Sequence, residues 1–158
     1  LKTHSSPFLQ FKALQVMKKR DYEGEVELRR GGRDIVIDVQ DVPESIEDYP
    51  RAIQLVLELV QEVCETHSPG TLYFVDQVWL DFLSCIYGMP EYYDLVSMDD
   101  EDARPWAAAL HRVAAELLNE YDPKAQLESH YLLDELDEDV WLQRCETIRS
   151  ALKPRKIE

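Results

Sequence analysis

Between residues 89 and 102 the chain reads MPEYYDLVSMDDED, which sets two adjacent tyrosines among six carboxylates. Phenol rings supply rigid contact area at small entropic cost, and carboxylates select a cationic partner and steer it from a distance. Glu91, Tyr92, Tyr93, Asp94, Asp99, Asp100, Glu101 and Asp102 are therefore the candidate partner-binding residues. Inhibitors and immunity proteins for cationic nucleases work with this chemistry. A shorter acidic run, DEDVW at residues 137–141, sits in a different context. Nothing blocks a helix there, so Asp137 can cap it and Glu138 and Asp139 fall in its first turn, where negative charge is favoured. In SMDDEDARPW, Pro105 disfavours helical backbone at Arg104 and itself suits a first helical position. That places the cap at Arg104 and leaves residues 99–102 upstream of it as a loop surface.

Other residue sets invite other chemistry. Glu58, Glu62 and Glu65 fall within about 60 degrees of one another on a helix, a grouping that could hold magnesium for phosphate chemistry. The apolar stripe of that helix, Ile53, Val56, Val60, Val63 and Cys64, points the opposite way, so the glutamates are expected to face solvent. Cys64 and His67 have the spacing of half a zinc site, but Cys85 and Cys145 bring no matching second half. The acidic runs lack the glycine that a calcium loop needs at its bend. His4, His111 and His130 are scattered, and Ser129-His130 beside Asp134 is adjacency where a triad needs geometry. With five glycines in all, no phosphate-cradling loop is present. No catalytic residue, metal ligand or cofactor site is assigned, and the chain is not expected to be an enzyme. Arg29, Arg30 and Arg33 flank a turn and are expected to be accessible, as a polar tip rather than a nucleic-acid contact, because the field of the remaining chain opposes phosphate.

That field comes from an uneven charge distribution. The 158 residues carry a formal net charge of -15. Residues 1–33 hold eight basic and four acidic side chains, a net of +4, whereas residues 34–152 hold 27 acidic and six basic, a net of -21. From Asp34 to Ala103, Arg51 is the only basic side chain. Such a surface repels nucleic acid and anionic membrane and attracts basic proteins at rates that fall with salt. The first expectation is a non-catalytic module that docks a basic protein, most sharply an immunity or inhibitor protein for a cationic toxin or nuclease. The alternatives are a DNA mimic that occupies a DNA-binding enzyme, and a metal-dependent all-α nucleotide hydrolase built on Glu58, Glu62 and Glu65. Three widely spaced cysteines in apolar stretches fit reduced thiols in a cytoplasmic protein. No apolar run is long enough to span a bilayer, and no signal-peptide plan is seen. The chain opens on Leu1 rather than Met, which leaves room for sequence upstream.

The elements that must position these residues follow from periodicity. Residues 8–20 predict a first helix with Leu9, Ala13, Val16 and Met17 inward. EVELRR and DIVIDVQ alternate around Gly31-Gly32, a hairpin pattern in which Val26 and Leu28 share a face with Ile35, Ile37 and Val39. Helices are expected from about Pro50 to His67, Leu72 to Tyr87, Pro105 to Tyr121, Lys124 to Leu133 and Asp137 to Leu152, the second of these being the most enclosed. The inward set of the 105–121 helix is Trp106, Leu110, Val113, Leu117 and Tyr121, and that of the last is Trp141, Cys145, Ile148 and Leu152. Together these predict one α+β domain, predominantly α-helical: a bundle of about five to six helices with one small N-terminal β-hairpin.

Overall fold

The computed structural model describes residues 6–30 and 32–157, with side chains as far as Leu152. Helix α1 (Pro7–Lys19) starts where Ser6 accepts the Leu9 N–H at 3.2 Å and Pro7 takes the first helical position. Its buried face is Gln10, Phe11 and Leu14, whereas Leu9 and Val16 are 55% and 50% exposed. The expected inward set is thus corrected for Leu9 and Val16, whereas Met17 packs on the buried cluster of Phe11 and Leu14 as expected. Phe11 meets Tyr87 edge-on with ring centroids 5.2 Å apart, and Gln15 and Lys18 donate to the Pro43 and Val42 carbonyls at 2.9 and 2.7 Å. Positions 11, 14, 15 and 18 are one helical stripe, and it is the stripe with partners.

Strands β1 (Glu25–Arg30) and β2 (Arg33–Asp38) pair antiparallel, with Val26 opposite Ile37 and Leu28 opposite Ile35. The expected shared face forms, and it covers a small second core of Phe11, Leu14, Leu28, Ile37, Val39 and Val42. Tyr87 packs against both this cluster and the main one, so it joins hairpin to helices. Gly88 lies under the hairpin with φ +81, and a Cβ there would stand 2.6 Å from Ile35 Cδ1. Only glycine fits both the backbone and the space.

The main core is built by α2 (Arg51–His67), α3 (Pro69–Ile86), α5 (Ala103–Leu117) and α7 (Glu138–Ile157), with the shorter α4 (Pro90–Ser97) and α6 (Lys124–His130) at its edges. Among the described residues the fold is α+β and mainly helical, with one two-stranded hairpin near the N-terminus. The stripes of α2 and α7 are buried as expected, and α3 buries Val75, Val78, Trp79, Phe82, Leu83 and Ile86. The most enclosed helix is α5, with 11 of its 15 residues buried against nine of 18 for α3. Alanine explains this: Ala107, Ala108, Ala109, Ala114 and Ala115 give α5 a narrow profile, so α2, α3 and α7 approach it closely. Trp106 reaches from α5 to Trp79 and Phe82, at centroid distances of 6.2 and 5.7 Å. Helix α5 stops at Leu117, and Asn119 turns the chain at φ 58, so Tyr121 stands 82% exposed instead of facing inward. Cys64 and Cys145 are buried and Cys85 half-buried, and all three are free thiols.

Candidate functional site

The segment of residues 89–102 is not a loop. Pro90 starts helix α4, and residues 100–102 form a 3₁₀ turn that runs directly into α5 at Ala103. Arg104 is therefore helical, and Pro105 occupies the third position of α5, still within the first turn, where a missing N–H costs no helical bond. The cap expected at Arg104 lies further upstream. Asp99 and Asp102 form a capping box, in which Asp102 Oδ2 accepts the Asp99 N–H at 3.3 Å. The same device recurs at Asp134 and Asp137 before α7, where Glu138 and Asp139 fall in the first turn as expected.

Within the segment the side chains divide. Tyr92 is 8% exposed, packed on Tyr87 at 5.0 Å and on Tyr49 at 6.4 Å between ring centroids. Burial, and then the neighbouring Tyr93, push its hydroxyl up to about 12. Tyr92 holds α4 to the body and is withdrawn from any partner, while Tyr93 is 58% exposed. Glu91, Asp94, Asp99, Asp100, Glu101 and Asp102 are all exposed, and none lies within ion-pair reach of a described basic side chain. Three cations elsewhere are paired: Arg51 with Glu58 at 3.3 Å, Lys124 with Glu138 at 2.8 Å and Arg149 with Glu116 at 2.7 Å.

The remaining candidates do not converge. Glu58, Glu62 and Glu65 are exposed on α2, as the opposed apolar stripe predicts. Cys64 points into the core while His67 ends the helix in solvent, so the half-site spacing separates them. Asp134 caps its turn by accepting the Leu136 N–H at 2.9 Å and is not aimed at His130. His130 instead stacks on His67 with centroids 3.9 Å apart, beside a cavity of about 330 Å³. No three described His, Cys, Asp or Glu side chains are placed to hold a metal ion. Of the hairpin arginines, Arg29 pairs with Asp34 at 3.6 Å, and Arg30 is only 2% exposed, which corrects the expectation of an accessible tip.

A buried polar centre escaped the reading of motifs. His111 on α5 is fully buried, with Tyr131 Oη 2.8 Å from Nδ1, Ser68 Oγ 3.2 Å from Nε2, and Cys64 Sγ 3.9 Å from Nδ1. Asp122 Oδ2 is 3.3 Å from Nε2 but has no hydrogen bond, the donor direction being taken by Ser68. A neutral ring satisfies both sides if Nε2 carries the proton and Nδ1 accepts the Tyr131 hydroxyl. Burial lowers the His111 pKa against the opposing pull of Asp122, and burial also raises the Cys64 thiol to about 12. His111 and Cys64 are fully enclosed, while Asp122 keeps its side chain 24% exposed.

No protein-family model, curated protein or solved structure matches this chain. Functional argument therefore rests on the site chemistry alone. In that chemistry the exposed face of α4 and the turn after it gathers six carboxylates without an ion pair within 12 residues, beside the exposed Tyr93 of the same helix. A signal for Arg30 was present, since strand alternation puts it on the face of Val26 and Leu28. For His111 the one available hint was its place on the apolar side of α5, because Ser68, Asp122 and Tyr131 come from separate parts of the chain.

Proposed function

We propose that this protein is a non-catalytic binding module that docks a basic protein through α4 and the turn after it, in the manner of an inhibitor or immunity protein for a cationic toxin or nuclease. The observation that supports the reading is the unpaired, exposed state of Glu91, Asp94, Asp100 and Glu101 on α4 and the turn after it, with Tyr93 exposed on the same helix. Charges that pair within the protein are spent before a partner arrives; these keep their field and their hydrogen-bonding capacity for one. Tyr93 adds contact area beside them, the combination that characterises energetic centres of interfaces.

The test reverses Glu91, Asp94, Asp100 and Glu101 to lysine together, leaving Asp99 and Asp102, which hold the turn. A second variant reverses Glu58, Glu62 and Glu65 on α2 as a control for overall charge. The partner is recovered from native lysate at low salt, and its association is followed by stopped flow. The α4 variant is expected to associate about tenfold or more slowly at low salt, with a flatter salt dependence. An unchanged rate, or equal slowing by the α2 control, overturns the assignment.

A further inference from the structure

Residues 119–132, which include α6, supply two of the groups around His111: Asp122 and Tyr131. The segment leaves α5 at Asn119 and ends at Leu132, both with left-handed backbone at φ 58. Between them only Leu127 and Tyr131 are buried, while Tyr121 and Leu132 stand in solvent. Its remaining ties are polar or at the surface. Thr71 meets Glu120 at 3.1 Å, Lys124 meets Glu138 at 2.8 Å, the Trp141 indole N–H donates to Glu128 at 3.1 Å, and His130 stacks on His67. A stretch with two buried anchors and exposed ends belongs to the class of segments that open locally while the body stays folded.

One of the two anchors ends on a bond that tolerates a single protonation state. The Tyr131 hydroxyl lies 2.8 Å from His111 Nδ1 and has no other hydrogen-bond partner among the described residues. With Nε2–H directed at Ser68, the Tyr131 O–H donates to Nδ1. A second ring proton would sit on Nδ1, turn that acceptor into a donor and leave the buried phenol proton without a partner. The groups that face the ring from the neighbouring elements do not offset this. Cys64 on α2 stays a thiol, raised to about 12 by burial and then by Asp122 and Glu120, and burial raises the Tyr131 phenol far above its usual range. His67 on α2 and His130 on α6 oppose a charge on His111, and Glu62 and Arg104 border the cavity beside them with one charge of each sign. Asp122 is the one described carboxylate within ion-pair distance, and the segment itself carries it. We propose that residues 119–132 are an acid-sensitive strap: protonation of His111 removes the acceptor that holds Tyr131, and the strap opens while the helices beneath it remain folded. Burial, against the pull of Asp122, keeps the closed ring below the ordinary 6.5, so the open form takes up the proton more readily. Closure is therefore fully favoured above that value and loses its advantage as pH falls below it. Burial, and then His67, lower His130 in the same direction. The strap shares no residue with the docking face, and the two proposals stand independently.

The test is native-state amide exchange on the full chain at pH 7, 6 and 5, corrected for the intrinsic rate and repeated in dilute urea. The strap is read at Leu127 and Tyr131, whose N–H groups donate to the Pro123 and Leu127 carbonyls at 3.1 Å, and the body at Val78 and Leu110. Strap opening is expected to rise about tenfold or more from pH 7 to pH 5. It is expected to be nearly independent of urea, as a local event exposes little surface, whereas exchange at Val78 and Leu110 follows the steep urea dependence of global unfolding. The Trp141 indole N–H, released from Glu128, is expected to exchange with the strap. His111→Gln is expected to lose most of the pH response. Because His111 is fully buried, Tyr131→Phe serves as the second variant: it keeps the ring and the packing, and is expected to raise strap opening about tenfold at pH 7. Strap opening that is flat with pH, a urea dependence equal to that of the body, a full pH response in His111→Gln, or unaltered strap protection in Tyr131→Phe each overturns the proposal.

Discussion

His111 shows how much a single residue depends on what surrounds it. On α5 it is one polar side chain among alanines, and its ring is held by Tyr131, Ser68, Asp122 and Cys64, with His67 and His130 close enough to oppose its protonation. Burial lowers its pKa below the ordinary 6.5, and Asp122 pulls the other way. The unfolded chain therefore takes up the proton more readily than the folded one, so this residue's contribution to stability is complete above the unfolded pKa and is lost as pH falls below it. Urea unfolding at pH 7 and pH 5 is expected to show a loss of at most about 2 kcal/mol from this source. His111→Gln is expected to be less stable at pH 7 by about 1–3 kcal/mol, the cost of buried partners left unsatisfied, and to show a shallower loss towards pH 5. A slope equal in the two proteins would show that the ring does not stay neutral.

At the scale of elements, one device recurs. Ser45 with Asp48, Asp99 with Asp102 and Asp134 with Asp137 each close a 3₁₀ turn with a capping box, and each turn leads into a helix or to the proline before one. In Asp48 the accepted backbone N–H groups of Glu44 and Ser45 hold the carboxyl below its usual range. The spacing of three between cap and partner is visible in the sequence, but a run of four acids hides which two are in use. The structure resolves that: Asp99 and Asp102 make the turn, while Asp100 and Glu101 have no such bond. Asp102→Ala is expected to destabilise by about 1 kcal/mol in denaturant titrations, and Asp100→Ala by less than about 0.5. Equal losses would mean that the box does not hold in solution. Helix α5 carries the same lesson for packing, since its alanines form no contrast of large and small residues that periodicity can rank, yet they make it the most enclosed helix.

For the molecule as a whole, the charge imbalance sets both a cost and a capacity. Residues 34–102 carry a net of -16, with Arg51 as the single basic side chain, and Arg51 is engaged by Glu58 at 3.3 Å. Like charges left unpaired repel one another in the folded state, and added salt screens them. The melting temperature is expected to rise by about 3 °C, or roughly 1 kcal/mol, between low salt and a few tenths molar sodium chloride. A fall with salt would indicate that attractive pairs, such as Arg149 with Glu116, dominate instead. Within the same range of salt, binding of a basic partner is expected to weaken, so the two effects run in opposite directions.

The sequence by itself determined the fold class, the hairpin register and the buried stripes of α2, α3 and α7, because period-2 and period-3.6 patterns are local properties of the chain. It determined the sign and position of the surface charge as well, since charged side chains in excess stay in water wherever the chain goes. Only the tertiary structure decided which face of α1 is inward, that Tyr92 is buried while Tyr93 is exposed, and that Arg30 and His111 are enclosed. Each of these depends on partners 20 or more residues away: Arg30 on carbonyls 23 and 55 positions distant, His111 on Ser68 and Tyr131 at 43 and 20. Burial of a polar side chain is decided by whether such distant groups arrive to satisfy it, and no local pattern carries that information.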